Sequence, residues 1–162
     1  MPRLTSSGAS ELPVLDDEAV MRVALDEARA AAVHGDVPVG AVVVSEDAVV
    51  ASRHNERELR HDPTAHAEVL ALRDAAWAMG SWRLTTATLV VTLEPCPMCA
   101  GAAVAARLGR IVFGAADPKA GACGSLYQLC ADPRLSYELP VTGGVLADEA
   151  SELLKTFFSD HR

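Results

Sequence analysis

Residues 87–93 read ATLVVTL, an apolar run without charge and with little polar alternation. A strand of that kind is covered on both faces. It lies between a helical stretch from about Ala65 to Met79, with Thr64 as its N-cap, and a small-residue helix from Pro97 to Leu108. A further strand follows over Arg110–Ala115. Upstream, Gly40–Ser45 and Ala48–Arg53 are β-branched runs on either side of Glu46–Asp47, the pattern of a hairpin. Asp16 or Asp17 caps a first helix to about His34, with Val20, Val23, Ala24, Ala28 and Ala31 on one face. His54 to Thr64 reads as a polar loop and residues 116–125 as a Gly-rich one. A short helix over 126–131, a strand over 139–142 and an amphipathic helix from Asp148 to Phe158 complete the chain. This order of elements predicts one three-layer α/β/α domain over residues 16–162, after a mobile tail over 1–15.

Half of the 162 residues are hydrophobic, enough to bury a core without disulfides or a structural metal. Any metal is therefore free to do chemistry. The formal net charge of −8 repels polyanions, so a nucleic-acid partner has to be held by a local basic patch. The first residues contain no continuous apolar stretch, and no segment approaches the ~18 apolar residues of a membrane span. The reducing cytoplasm is the expected compartment, where Cys96, Cys99, Cys123 and Cys130 point to metal or catalysis before disulfides.

Two fragments carry the chemistry: His66-Ala67-Glu68 and Pro95-Cys96-Pro97-Met98-Cys99. Alone, the first is commonly a surface coincidence, and the second is compatible with a redox pair, a zinc half-site or two buried thiols. Together they are far more specific. Both fall at predicted helix N-termini, delivered to the same edge of a sheet. Cysteines three apart aim at one point from a single helical turn, and the helix N-terminus favours their thiolates. Pro97 suits a first turn, where an amide hydrogen has no intrahelical partner. One histidine and two cysteines make three ligands, the number that catalytic zinc keeps beside an open position. Cys123 and Cys130, seven apart, do not resemble a ligand pair and read as buried thiols. Glu68 does not share a face with His66 and is placed instead to move protons to and from the metal-bound water, whose pKa zinc lowers towards ~7. His34, His54, His61 and His161 are weaker ligand candidates.

H-x-E followed by P-C-x-x-C is the signature of the zinc nucleobase deaminases. From about Asp16 onward the chain resembles one branch of them, the bacterial tRNA adenosine deaminases of the cytidine deaminase-like superfamily. The likeness is carried by Val37 to Ala41, Asn55, Arg60 to Glu68, Thr92 to Ala102, Val112 to Ala115, Lys119 to Gly121, Gly124 to Leu126, Gly144 to Glu149 and Phe157-Phe158. It implies a mixed sheet of about five strands, one Zn2+ per subunit, a homodimer, and hydrolysis of a wobble adenosine to inosine in an anticodon stem-loop, that of an arginine tRNA. It also implies that Asn55 bonds the base or its ribose, Val37 packs on the base, and the backbone around Pro95 and Cys96 holds the reacting centre. Asp117 and Lys119 contact the RNA, and Phe158 packs beside a flanking base.

Other readings stay open beside these. Arg53, Arg57 and Arg60 cluster around Asn55, either as the basic patch an acidic protein needs for RNA or as a solvated loop. Phe158 is either a base contact or a core residue of the last helix. Ala116 stands where many relatives carry arginine, and after Phe158 the chain reads Ser159-Asp160-His161-Arg162 where relatives continue with basic residues. These departures weigh on RNA affinity, not on the chemistry. The alternatives are deamination of a free base or nucleoside, such as guanine or cytosine, and a non-catalytic deaminase-like subunit with structural zinc. The second has no use for Glu68.

Overall fold

Strands β1 (Gly40–Ser45) and β2 (Ala48–His54) form the hairpin. Glu46 and Asp47 both take positive φ, 52° and 61°, and this left-handed pair gives a tight turn the twist that antiparallel strands need. β1 pairs on its other side, antiparallel, with β3 (Ala87–Leu93). β3 runs parallel to β4 (Arg110–Ala115), and β4 parallel to the two-residue β5 (Val141–Thr142). The result is a mixed five-stranded sheet in the order β2-β1-β3-β4-β5. The structure, a computed structural model, describes residues 15–161, so most of the expected N-terminal tail lies outside the described residues.

Alternation along the strands separates two cores. Ala41, Val43, Leu89, Val91, Ile111 and Phe113 pack with α3 (Ala67–Met79) and α4 (Pro97–Ala105) on one face. Val42, Val90 and Val112 pack with α1 (Asp17–Val33) and α5 (Ala147–Asp160) on the other. The three layers follow, with β3 in the middle and covered twice, as its uncharged sequence requires.

Several local expectations shift, each for a tertiary reason. Asp16 caps α1, its Oδ1 accepting the Ala19 amide at 2.7 Å. The buried face of α1 adds Met21 and Leu25 and leaves Val23 39 % exposed. The helix is turned by its contact with Gly40, where a Cβ would stand 1.9 Å from the Ala24 carbonyl oxygen. The polar loop after β2 contains a single helical turn, α2 (Arg57–Arg60), because the buried Asp36 carboxylate accepts the Glu58 and Leu59 amides at 2.9 and 3.3 Å. α3 begins at Ala67, not Ala65, with His66 at its N-cap. Thr64 does not cap it; its hydroxyl donates to Asp62 Oδ1 at 2.7 Å. The Ala67 amide is taken by the Oδ1 of Asn55, at 2.8 Å. α4 stops at Ala105, followed by Arg107 at φ 54°. Only Leu129–Ala131 is helical in the 126–131 stretch, as one 3-10 turn, and α5 continues to Asp160.

Candidate active site

The carboxyl ends of β2, β3 and β4 and the start of β1 meet at one edge of the sheet. There they surround a pocket of about 160 Å³ lined by Val37, Val39, Asn55, Arg57, His66, Glu68, Leu93, Glu94, Cys96, Asp117 and Ala120. Open sheets with parallel strands place their sites at this edge. A larger groove of about 530 Å³ runs between α1 and α5, lined by Arg29, Pro38, Leu153, Phe157 and His161 among others. It holds no group of metal-ligating side chains among the described residues.

His66 and Cys96 occupy the N-cap positions of α3 and α4, and Cys99 lies in the first turn of α4. The Nδ1 of His66 stands 3.4 Å from Cys99 Sγ and 3.7 Å from Cys96 Sγ. The three donor atoms lie within 4.8 Å of one another. Tetrahedral zinc with bonds of about 2.0–2.3 Å needs donors about 3.5 Å apart, and His/Cys/Cys is a donor set zinc takes. The charges agree. Hydrogen bonding with the Cys99 thiol outweighs burial and, with help from His66, brings Cys96 down to about 4. The same bond, and then burial, pushes Cys99 far up. Two thiols this close oppose each other's ionisation, and a divalent cation would let both ionise. Hydrogen bonding to Cys96 raises His66 in spite of burial.

Glu68, 4 % exposed, sits in the first turn of α3 and lines the same pocket as His66 and Cys96. Burial raises its pKa, the condition of a carboxyl that takes and returns protons near neutral pH.

Asn55 is buried and largely engaged by the protein. Its Nδ2 donates to the Val37 carbonyl at 3.1 Å while its Oδ1 accepts from Ala67. One N–H and one lone pair remain to face the pocket. Val37 is half-buried on the pocket wall, and Pro95 is buried, its carbonyl accepting the Ala122 amide at 2.8 Å. The Asp117 carboxylate closes a turn, accepting the Lys119 and Ala120 amides at 3.0 and 3.1 Å; Lys119 itself is exposed. Phe158 is 52 % exposed, and the core position belongs to Phe157, stacked on His161 with ring centroids 4.0 Å apart. The arginine cluster divides. Arg53 pairs with Asp74 at 2.8 Å and Glu56 at 3.1 Å, and Arg60 pairs with Glu56. Arg57 lines the pocket and makes no ion pair among the described residues. His54 turns away to Glu27, 2.7 Å from its Nδ1, and His61 is exposed. Cys123 and Cys130 are buried, their sulfurs 3.7 Å apart.

Two acids at the site escaped the sequence reading. Glu56 follows Arg53 by three residues and precedes Arg60 by four, spacings that pair charges on a helix, but the sequence indicates a strand end and a loop there, so only the fold brings the three together. Glu94 ends an apolar strand, and a charge at a buried position demands partners. It is 2 % exposed. Burial alone would raise its pKa, but hydrogen bonds from Ser125, Asp117 and Cys123 hold it below the ordinary carboxylate range.

A buried carboxyl beside a His/Cys/Cys group, at this edge of a five-stranded mixed sheet, defines a deaminase of the cytidine deaminase-like fold. The MafB19-like deaminase family model matches residues 15–160. The tRNA-specific adenosine deaminase of Bacillus subtilis (strain 168) is 47 % identical over 90 % of this chain and 91 % of its own length. A solved structure from a study of A-to-I editing by tRNA deaminases at the wobble position is 42 % identical and superposes with a TM-score of 0.80, over 83 % of this chain and 97 % of that one. A guanine deaminase from Nitrosomonas europaea superposes with a TM-score of 0.77 at 25 % identity, over 88 % of this chain and 84 % of its own. The chain belongs to the tRNA-specific adenosine deaminase family.

Proposed function

We propose that the chain hydrolyses the exocyclic amino group of the wobble adenosine in a tRNA anticodon stem-loop, giving inosine and ammonia. The observation that carries the reading is the meeting of His66, Cys96 and Cys99 with the buried Glu68 on the floor of one pocket. One zinc ion per subunit suits the three ligands; when bound, it supplies Lewis acidity that brings the ionisation of water towards neutral pH. Glu68 carries the protons. It takes one from the attacking water, passes it to the ring nitrogen, and delivers a proton to the departing amine as the C–N bond breaks. Asn55 offers its remaining N–H and lone pair to the base or ribose, Val37 packs on the ring, and the fixed backbone at Pro95 borders the reacting carbon. Lys119 and Phe158 are exposed for RNA flanking the flipped nucleotide, while Asp117 shapes the turn that presents Lys119. Arg57, unpaired among the described residues, is the phosphate contact favoured over Arg53 and Arg60.

The partner is proposed to be an arginine tRNA with adenosine at the wobble position, and the working unit a homodimer. A shallow cleft of about 350 Å³ between α3 and α4, lined by Leu72, Ala76, Trp82, Ala102 and Ala105, supplies the apolar face for a second subunit. No helix among the described residues is long and apolar enough to cross a membrane, and the cytoplasm is the proposed location.

A second reading, deamination of a free base, is favoured by one observation: Arg53 and Arg60 are already neutralised, which leaves little positive charge for RNA. Zinc-loaded protein offered an anticodon stem-loop beside a panel of bases and nucleosides separates the two. Inosine forms in the stem-loop alone on the first reading; ammonia released from a free base alone overturns it in favour of the second.

A further inference from the structure

Glu94 sits between β3 and Cys96, and four hydrogen bonds reach its carboxylate from one loop. The Asp117 amide donates to Oε1 at 3.1 Å, and the Cys123 and Ser125 amides donate to Oε2 at 3.0 and 3.1 Å. The Ser125 hydroxyl donates to Oε1 as well. Both ends of the segment 117–125 are thus tied to a single side chain. The glycine in its middle agrees: a Cβ on Gly121 would stand 2.2 Å from Glu94 Oε2. The backbone of Glu94 is fixed in turn, its amide donating to the Ala115 carbonyl at 2.8 Å. The tied segment carries Asp117 and Ala120, which line the pocket together with Asn55 and Val37, and the next residues after Glu94 lead into Cys96 at the start of α4.

We propose that Glu94 is a positioning residue for substrate: it locks the 117–125 loop against the metal floor and so sets the width of the pocket and the place of Lys119. It touches no reacting atom in this account. An ionised carboxylate only accepts, which suits four donors converging on two oxygens. A carboxamide of the same shape turns one acceptor into a donor and leaves N–H facing N–H.

The test compares Glu94→Gln and Ser125→Ala with the parent protein, all zinc-loaded. It rests on the proposed wobble-adenosine substrate, so steady-state kinetics on the anticodon stem-loop are paired with hydrogen exchange at the Cys123 and Ser125 amides. For Glu94→Gln the expected result is a rise in KM of about ten-fold with kcat within about three-fold, unchanged zinc content, and faster exchange at those amides. Ser125→Ala, which removes one donor, moves KM and exchange the same way by less. A folded, zinc-replete Glu94→Gln with parental KM and parental exchange overturns the proposal. If Glu94→Gln fails to fold or to hold zinc, Ser125→Ala decides, and unchanged KM and exchange in it overturn the proposal equally. A parent protein that leaves the stem-loop unchanged sinks the substrate reading, and the exchange comparison still judges the role of Glu94 in holding the loop.

Discussion

The floor and the rim of the pocket are built on opposite principles. On the floor, Glu68, Cys99 and Glu94 are buried, and the backbone at His66, Cys96 and Glu94 is fixed by helix starts and strand ends. At the rim, Arg57 is exposed, as are Lys119 and, on α5, Phe158, which are proposed to meet RNA, and Arg53 and Arg60 answer acids of the same chain. Buried groups are geometrically determined and electrically strong, because little water competes with them. Rim charges are screened and exchange partners readily. On the proposed function, chemistry resides in the floor, and the rim adjusts which substrate reaches it and how strongly.

The largest test of that contrast is on the floor. Cys96→Ser is expected to lose metal and turnover together, read as zinc per subunit beside rate; turnover retained without metal breaks the floor model. Glu68→Gln should keep about one zinc per subunit and lose about 10²–10⁴ in kcat. Loss of zinc in that variant instead makes Glu68 part of the metal's support and not the proton carrier. A middle-sized effect divides neighbours on α5. Phe157→Ala should cost about 3 kcal/mol in denaturant unfolding. Phe158→Ala should stay within about 0.5 kcal/mol and act on KM for the stem-loop alone. Equal losses of stability in the two erase the distinction between core and rim there.

The smallest effects sharpen the rim. Arg57→Ala should reduce the slope of log affinity for the stem-loop against log salt by about 0.7–0.9, the share of one phosphate contact. Arg60→Ala, whose guanidinium is already paired with Glu56, should leave the slope nearly unchanged. Glu56→Gln should steepen it, since it releases Arg60 and half-releases Arg53. A flatter slope from Arg60→Ala, or no change from Glu56→Gln, means that the ion pairs do not govern RNA affinity.

The same division explains what could be read from residues alone. The uncharged β3 run set the double cover of the sheet, and the spacing of Cys96, Cys99 and His66 pointed to their meeting as a group able to hold a metal, because local spacing and helix starts decide both. The start of α3 lies two residues beyond where local signals put it because its cap comes from Asn55, a side chain from another loop. α2 looks like loop in the sequence because its first amides are held by Asp36, more than twenty residues earlier in the chain. Periodicity puts Val23 inside because pattern alone does not tell where Gly40 presses on α1. The role of Glu94 is not legible locally, since its partners lie beyond β4. Long-range partners, most of them polar, are what the sequence kept hidden.

The most direct measurement incubates zinc-loaded protein with a wobble-adenosine anticodon stem-loop in heavy-oxygen water and weighs the product nucleoside. The account predicts inosine at the wobble position alone, with the heavy oxygen on its base and ammonia released in equal amount. An unaltered stem-loop, with ammonia appearing only when a free base is supplied, contradicts it.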